Sequence, residues 1–408
     1  MATPAKQKQL PRHAFLDADL LESSKKLTEQ GVYNLLPKEK FWQARFRYLN
    51  DRGYLLRPRY RPGWKPSWQD TNLDPTFCED SILLIDAFIQ DYQLMDATRL
   101  SDSELVAIKS FPKRRQEEQI AQFFASIDDS RNHCVRVHEI LPDPHDPRLG
   151  LMVMPFLRPC NNPEFAIVGD VIEFVDQTLE GLAFMHSHHI AHRDIAASNI
   201  MMDAKPLYPD GYHPVRLGYT PDSLYPVSAL PRAGRNVHYY YIDFGVSSWF
   251  QPGASPFVVG DVGRAEVPEL SETVPYDAFK VDIYALGSVY FKEFGNKYKN
   301  TDFLEPLIEL MKRERPQERP TAEQALQEWQ RKRATLSESL FRWRLVPKTE
   351  QAIERVVNDT VAVAWEAYNL YPHSGCRTEA FPCTVPDAPK LARRFNMPDA
   401  ASDFQPDP

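Results

Sequence analysis

Two short stretches restrict this chain more than any others: Ala191-His-Arg-Asp-Ile-Ala-Ala-Ser-Asn199 and Tyr240-Tyr-Ile-Asp-Phe-Gly245. They set out an aspartate, Asp194, an amide five positions on, Asn199, and a second aspartate, Asp243, behind an apolar strand-like run. A hard divalent cation takes oxygen ligands and, when it rides on phosphates, draws few of them from protein. A carboxylate beside such a site can accept a proton, and phosphoryl transfer asks for little more than positioned charge. Either stretch alone reads equally well as a polar turn. In this order, each flanked by strand-forming residues, they read as one site.

At 408 residues the chain has room for two or three domain-sized units. With 43% hydrophobic and 25% charged residues a packed core is feasible, and a net charge of −8 argues against dedicated nucleic-acid binding. The five cysteines, Cys78, Cys134, Cys160, Cys376 and Cys383, are odd in number and lack metal-site spacing, which fits reduced thiols in an intracellular compartment. The first residues lack the apolar core of a signal peptide, and no apolar run is long enough to span a bilayer. A cytoplasmic or nuclear protein with no membrane association is the expectation.

His192-Arg193-Asp194 with Asn199, followed by Asp243-Phe244-Gly245, resembles the signature of the eukaryotic protein kinases. The resemblance implies an α+β, bilobal protein-kinase-like fold, with a small β-rich N-lobe, a larger and mostly helical C-lobe, and N- and C-terminal extensions. It implies ATP and Mg²⁺ as cofactors and a protein substrate. Asp194 would accept the substrate hydroxyl proton, and Asn199 and Asp243 would hold the metal.

Taken in order, residues 1–36 are polar with one short helical pattern and read as a loosely held arm. Within residues 37–80, Trp42, Phe46 and Leu49 keep helical spacing up to Gly53. Tyr54–Trp68 then interleaves basic residues with aromatics and prolines. Such a stretch could stack on nucleic-acid bases; the overall acidity favours a clamp that holds an extended segment against a domain. Residues 81–157 correspond to the N-lobe. Apolar clusters from Ser81 to Phe111 read as consecutive strands ending in Leu105-Val-Ala-Ile-Lys109, and the resemblance makes Lys109 the grip on the nucleotide's α- and β-phosphates. A helix over Gln116–Ser126 should supply its carboxylate partner. Glu117 is preferred over Glu118 because Ile120, Ala121 and Phe124 follow it at helical positions. Leu149–Leu157 reads as a buried strand. By resemblance Met154 lies at the back of the adenine pocket, and Phe156 and Leu157 belong to the hinge that reads the adenine edge.

Residues 158–335 correspond to the C-lobe, with an insert at 203–237. Asn199 and Asp243 stand 44 positions apart where the family has a tight hairpin. Six prolines, from Pro206 to Pro231, oppose helix or strand there, while Tyr208, Tyr212, Tyr219 and Tyr225 give it something to pack. Further resemblances imply that Asp282 braces the catalytic loop and that Arg319 pairs with Glu269. Residues 336–371 read as a helical extension with Ile353, Val357, Val361, Ala364, Trp365 and Tyr368 on one face, which must dock on the core or in a partner's groove. Residues 372–408 read as a disordered tail. The insert and this helix are the expected partner-docking surfaces.

Two departures from the family weaken catalysis. No glycine occurs from Trp64 to Leu149, so the loop whose bare backbone would cradle phosphates is missing, and the nearest candidate turn, Asp86–Asp91, adds carboxylates that repel them. In the catalytic loop, Ala196 and Ser198 stand where the family carries Lys or Arg. Losing one charge-assisted hydrogen bond costs about 1.5–3 kcal/mol, roughly ten- to a hundredfold in rate. The retained Lys109, Asp194, Asn199 and Asp243 favour a slow kinase, Ser/Thr-directed rather than Tyr-directed, over a pseudokinase scaffold. A small-molecule phosphotransferase is a third reading, disfavoured by the Asp282 and Arg319 signatures. Arg193 is expected to pair with Asp261 or Glu266, since no Thr occurs between Asp243 and Glu269; a phosphate on Ser247, Ser248 or Ser255 is the alternative. With the Leu56-Arg-Pro-Arg-Tyr60 lead-in and the proline- and tyrosine-rich insert before Tyr241-Ile-Asp-Phe-Gly245, the chain further resembles the protein-kinase-like proteins of mushroom-forming fungi.

Overall fold

The computed structural model describes residue 10 and residues 12–82, 93–113, 116–260, 263, 266–355 and 357–360. Helix α1 (Ala18–Glu29) opens at Asp17, whose side chain accepts the Leu20 N–H at 3.0 Å. The arm expected to be loose is tied down on either side of this helix. Phe15 bridges Leu73, and the Trp68 indole donates to Thr28 at 3.0 Å. Both anchors lie in the following segment, so the arm's own polar sequence does not reveal them.

Helix α2 (Pro37–Asp51) starts on proline, which has no N–H to leave unpaired at that position. It stops before Gly53, which takes a φ of +86°. Its buried Trp42 and Leu49 cover one face of an antiparallel sheet made of β1 (Tyr54–Leu55), β2 (Leu94–Arg99), β3 (Glu104–Pro112), β4 (Glu139–Pro142) and β5 (Leu149–Pro155), in the order β1-β2-β3-β5-β4. Strand alternation then decides which side chains reach the cleft. Val106 and Ile108 turn to α2, so Ala107, Lys109 and Phe111 face the other way, toward α3 (Glu117–Ala125) and the larger lobe. A slip of one residue would bury Lys109 under α2.

Strand β6 (Arg158–Pro159) leaves the hinge, and α4 (Val168–Ser187) runs through the larger lobe with Val171, Ile172, Val175, Leu179 and Leu182 buried. It delivers the chain to β7 (Ile190–Ala191) and so to His192. Strands β8 (Ile200–Met202) and β9 (Tyr239–Tyr241) pair antiparallel, with β6 beside β8. β10 (Ser248–Trp249) lies against β7, and β11 (Phe257–Val258) against β12 (Tyr276–Asp277). Helices α5 (Ala278–Tyr290), α6 (Glu305–Met311) and α7 (Ala322–Arg333) complete the lobe. The buried Trp329 of α7 donates its indole N–H to Asp176 of α4 at 2.6 Å. The architecture is α+β and bilobal.

Past α7, Leu345 and Val346 are buried, and Arg344 pairs with Glu350 at 2.9 Å and Asp359 at 2.6 Å. The helical turns at 352–355 and 357–360 nevertheless leave Ile353 80% and Val357 51% exposed. The docked apolar face expected there is not made by these two residues among the described ones; Arg344's ion pairs hold the segment. Val361, Ala364, Trp365, Tyr368, the tail 372–408 and the turn 86–91 lie outside the described residues. Among the described residues no helix is long and apolar enough to cross a membrane.

Candidate active site

The long insert does not separate the two halves of the site. Ile200 pairs with Tyr241 and Met202 with Tyr239, and Asp203 N–H donates to His238 O at 2.9 Å, so the insert leaves and returns at one hairpin end. At the other end Ile242 N–H donates to Asn199 O at 3.0 Å, which brings Asn199 beside Asp243. Closing a flexible loop costs free energy only logarithmically in length, so a hairpin loop of 35 residues instead of four costs roughly 2 kcal/mol more.

Lys109 holds the cleft's charge balance. Its ammonium lies 2.5 Å from Glu117 and 2.8 Å from Asp243. The acidic partner from α3 is Glu117, which is buried, whereas Glu118 is half-buried. Burial alone would lower the Lys109 pKa, but the two carboxylates outweigh it and hold the value above the ordinary lysine range. Burial would likewise raise Asp243, and Lys109 outweighs it, so Asp243 sits below the usual carboxylate range. Both groups are charged across the neutral range. Asp243 takes a φ of +66°, and Phe244 next to it turns into the core between Phe124 and His192, with ring centroids 5.6 and 5.3 Å away.

The catalytic loop is braced from beneath by Asp282, which is fully buried. Its carboxylate accepts the backbone N–H groups of His192 and Arg193, each at 2.7 Å, and lies 3.0 Å from His186 Nε2. Arg193 thereby keeps a φ of +66°, a left-handed conformation costly for a side chain of its size. His192 Nδ1 accepts the Asp194 N–H at 3.2 Å, which leaves Nε2 as the donor to Ile242 O at 3.0 Å. Asn199 Nδ2 donates to the Asp194 carbonyl and to Asp194 Oδ2, both at 2.8 Å. A β-carbon on Gly263 would lie 2.6 Å from Arg193 O and 3.5 Å from Asp194 Oδ1, so only glycine allows this close pass over the loop.

Arg193 bonds to neutral groups among the described residues: Val246 O, Ser248 Oγ, Val259 O and Tyr276 Oη, at 3.1 to 3.3 Å. Glu266, one of its expected partners, is exposed and makes no bond to it; Asp261 lies outside the described residues. Carbonyls and hydroxyls of the folded segment take up both terminal nitrogens of the guanidinium, while its Nε has no partner among the described residues; charge counting along the sequence overlooks such neutral acceptors. Arg319 does pair with Glu269 in a bidentate contact, with one arm at 2.8 Å, and its remaining donors go to the carbonyls of Arg313, Glu314 and Lys280.

At the hinge, Met154 is buried at the end of β5. Phe156 is turned away from the cleft: its N–H donates to Leu105 O at 3.3 Å and its ring faces Tyr212 of the insert. The Leu157 N–H donates to no group among the described residues.

Sequence reasoning missed the clasp outside this hinge. Arg158 donates to Leu217 O at 2.9 Å and stacks against Tyr208 and Tyr212, 4.3 and 4.6 Å from their ring centroids. The insert then reaches the segment ahead of β2, where Arg216 donates to Thr76 O at 2.7 Å and Val215 packs on Ile82. Arg57 links that segment to the sheet through Asp96 at 3.0 Å. Every one of these contacts is long-range, and no local pattern marks them.

This geometry, a half-buried ammonium between two carboxylates and an Asp–Asn pair on a braced loop at the junction of a β-rich and a helical lobe, defines a protein kinase domain. The family model "Protein kinase domain" matches residues 93–298, and the chain belongs to that family. It is similar to the serine/threonine-protein kinase chk1 of Schizosaccharomyces pombe, 28% identical over 131 residues. That match covers 32% of this chain and 20% of the relative, so the chain spans about a fifth of the length of the curated protein it matches.

Proposed function

We propose that the chain transfers the γ-phosphoryl group of ATP, with Mg²⁺, to a serine or threonine hydroxyl of a protein, at a rate below that of kinases with a complete catalytic loop. The observation that carries this reading is the convergence of Lys109, Glu117, Asp243, Asn199 and Asp194 despite the 35-residue insert. The donor set fits a hard cation. Asp243 spends Oδ1 on Lys109 and Gly245 N–H, and Asn199 spends its side-chain nitrogen on Asp194, which leaves Asp243 Oδ2 and the Asn199 side-chain oxygen, Oδ1, as ligands. Bound there with phosphates, the ion would neutralise the charge that develops on the leaving oxygens. Lys109 would orient the α- and β-phosphates, and Leu157 N–H would read the adenine edge. Asp194 would take the proton as the hydroxyl oxygen bonds to phosphorus and the β–γ bridge breaks toward the diphosphate.

Ala196 and the lack of glycine between Trp64 and Leu149 support a second reading, a pseudokinase that binds partners without turnover. Labelled phosphate from ATP, offered with a serine/threonine peptide library, separates the two. Transfer that disappears in Asp194→Ala and survives in Lys292→Glu supports the kinase, and no transfer above background supports the scaffold. We further infer, from the insert's proline and tyrosine content, kinship with the kinase-like proteins of mushroom-forming fungi.

A further inference from the structure

The basic and aromatic stretch from Tyr54 to Trp68 is not used by the cleft, and the fold splits it into two sets. Tyr54, Tyr60 and Trp68 are buried, and Trp64 gives its indole N–H to Asp80 at 2.8 Å. Arg57 and Arg59 turn inward onto Asp96 and Glu39, at 3.0 and 3.1 Å. With Tyr54, Tyr60 and Trp68 covered, only the half-buried Trp64 is left, and a single ring offers no run of platforms on which successive bases could stack. The other set faces outward. Arg61 and Lys65 are exposed, as are Lys40 and Arg47 on α2, and none of the four side chains has a hydrogen bond or ion pair among the described residues.

These four cations line two adjoining hollows. One, of about 540 Å³, is walled by Pro58, Arg61, Trp64 and Lys65; the other, of about 450 Å³, by Lys40, Gln43, Ala44 and Arg47. Both share Pro62 and Gly63, so they form one groove across that turn. Two acids, Glu79 and Asp80, also line the first hollow, each held by other groups through at least one oxygen. Asp80 accepts from Trp64 and from the Ser67 backbone and hydroxyl, and Glu79 lies against Arg57 and His213. Unpaired positive charge strung along a groove, in a chain of net charge −8, is complementary to an extended anion and not to a compact one. The groove lies beside α2, on the sheet face opposite Lys109, so its occupant is held away from the cleft.

We propose that the groove between α2 and the 61–65 turn docks an extended, Asp/Glu-rich segment of a partner protein. Docking requires no phosphate transfer and stands apart from the reading of the cleft. The test uses the full chain and a fluorescein-labelled peptide, (Glu-Asp-Gly)₄, read by anisotropy without nucleotide. Saturable binding is expected, weakening as salt rises, with at least a tenfold loss of affinity in Arg61→Glu/Lys65→Glu and in Lys40→Glu/Arg47→Glu, and little change in Lys292→Glu on the larger lobe. The (Gln-Asn-Gly)₄ peptide should not bind, and circular dichroism of each variant separates lost charge from lost fold. Absence of binding, equal affinity in folded groove variants, or tighter competition at the groove by a phosphoserine peptide or (dT)₁₂ would overturn the proposal.

Discussion

Asp282→Asn changes one oxygen into an amide nitrogen and tests whether the catalytic loop is held from below. The aspartate accepts three hydrogen bonds with two oxygens: His192 N–H and His186 on Oδ2, Arg193 N–H on Oδ1. The asparagine keeps one acceptor. If that oxygen retains His192, the new NH₂ faces the Arg193 N–H, two buried donors with nothing between them. Losing a hydrogen bond to a charged group removes about 1.5–3 kcal/mol, and a neutral acceptor weakens the remaining two, so about 2–4 kcal/mol of destabilisation is expected. At roughly 2 °C per kcal/mol for a chain of this size, the melting temperature should fall by about 4–8 °C. Arg193, at φ +66°, relaxes once its N–H is released, and Asp194 moves with it. A displacement of about 1 Å at a reacting group costs on the order of a hundredfold in rate. The expected kinetic signature is therefore a lower kcat with the KM for ATP little changed, read beside thermal unfolding. An Asp282→Asn protein that unfolds at the wild-type temperature and transfers phosphate at the wild-type rate would refute the bracing role.

Lys109→Met leaves Glu117 and Asp243 facing each other without a counterion, and the stabilisation by ATP and Mg²⁺ seen in a thermal-shift titration should vanish. Asp243's depressed pKa contributes stability that is present above its unfolded value and lost as pH falls through the folded one. Lys109's raised pKa contributes stability that is present below its unfolded value and lost as pH rises through the folded one. Without Lys109, burial and the facing carboxylate raise Asp243 above the ordinary carboxylate range, so the difference in unfolding free energy between wild type and Lys109→Met should be smallest below about pH 4 and widen as pH rises toward neutrality; a difference that does not change with pH contradicts the pairing. Gly263→Ala drives a methyl against Arg193 O and strains a φ of +105°, so phosphate transfer should drop at least tenfold and the segment after Gly260 should become easier to cleave by protease. Cys78, Cys134 and Cys160 are buried, and burial raises all three thiols, Cys160 to about 12; peptide mapping after iodoacetamide treatment at pH 8 should find them unmodified until the chain is denatured.

What could be read along the chain is what repeats within a few residues. Period-two alternation in Leu105–Lys109 places Lys109 on the cleft face, and the position of Ile120, Ala121 and Phe124 relative to Glu117 picks the right carboxylate. The Asp194, Asn199 and Asp243 spacing identifies the family because the side chains are few and their order is fixed by the backbone that carries them. The same local reading fails for Ile353 and Val357. Their helical spacing marks an apolar face, yet spacing carries no information on whether a surface exists to cover it.

The residue pattern settles the chemistry on offer at the cleft, the class of fold and the strand register of the lysine, since each follows from side-chain identity and the geometry of a single element. Folding in three dimensions settles the rest. The β8–β9 pairing closes the hairpin under the 203–237 insert, that insert clasps the hinge through Arg158, neutral oxygens surround Arg193, and one basic stretch sorts into paired inner and unpaired outer cations. These outcomes depend on which distant surfaces meet, and loop closure costs too little, growing only with the logarithm of length, for sequence separation to forbid them.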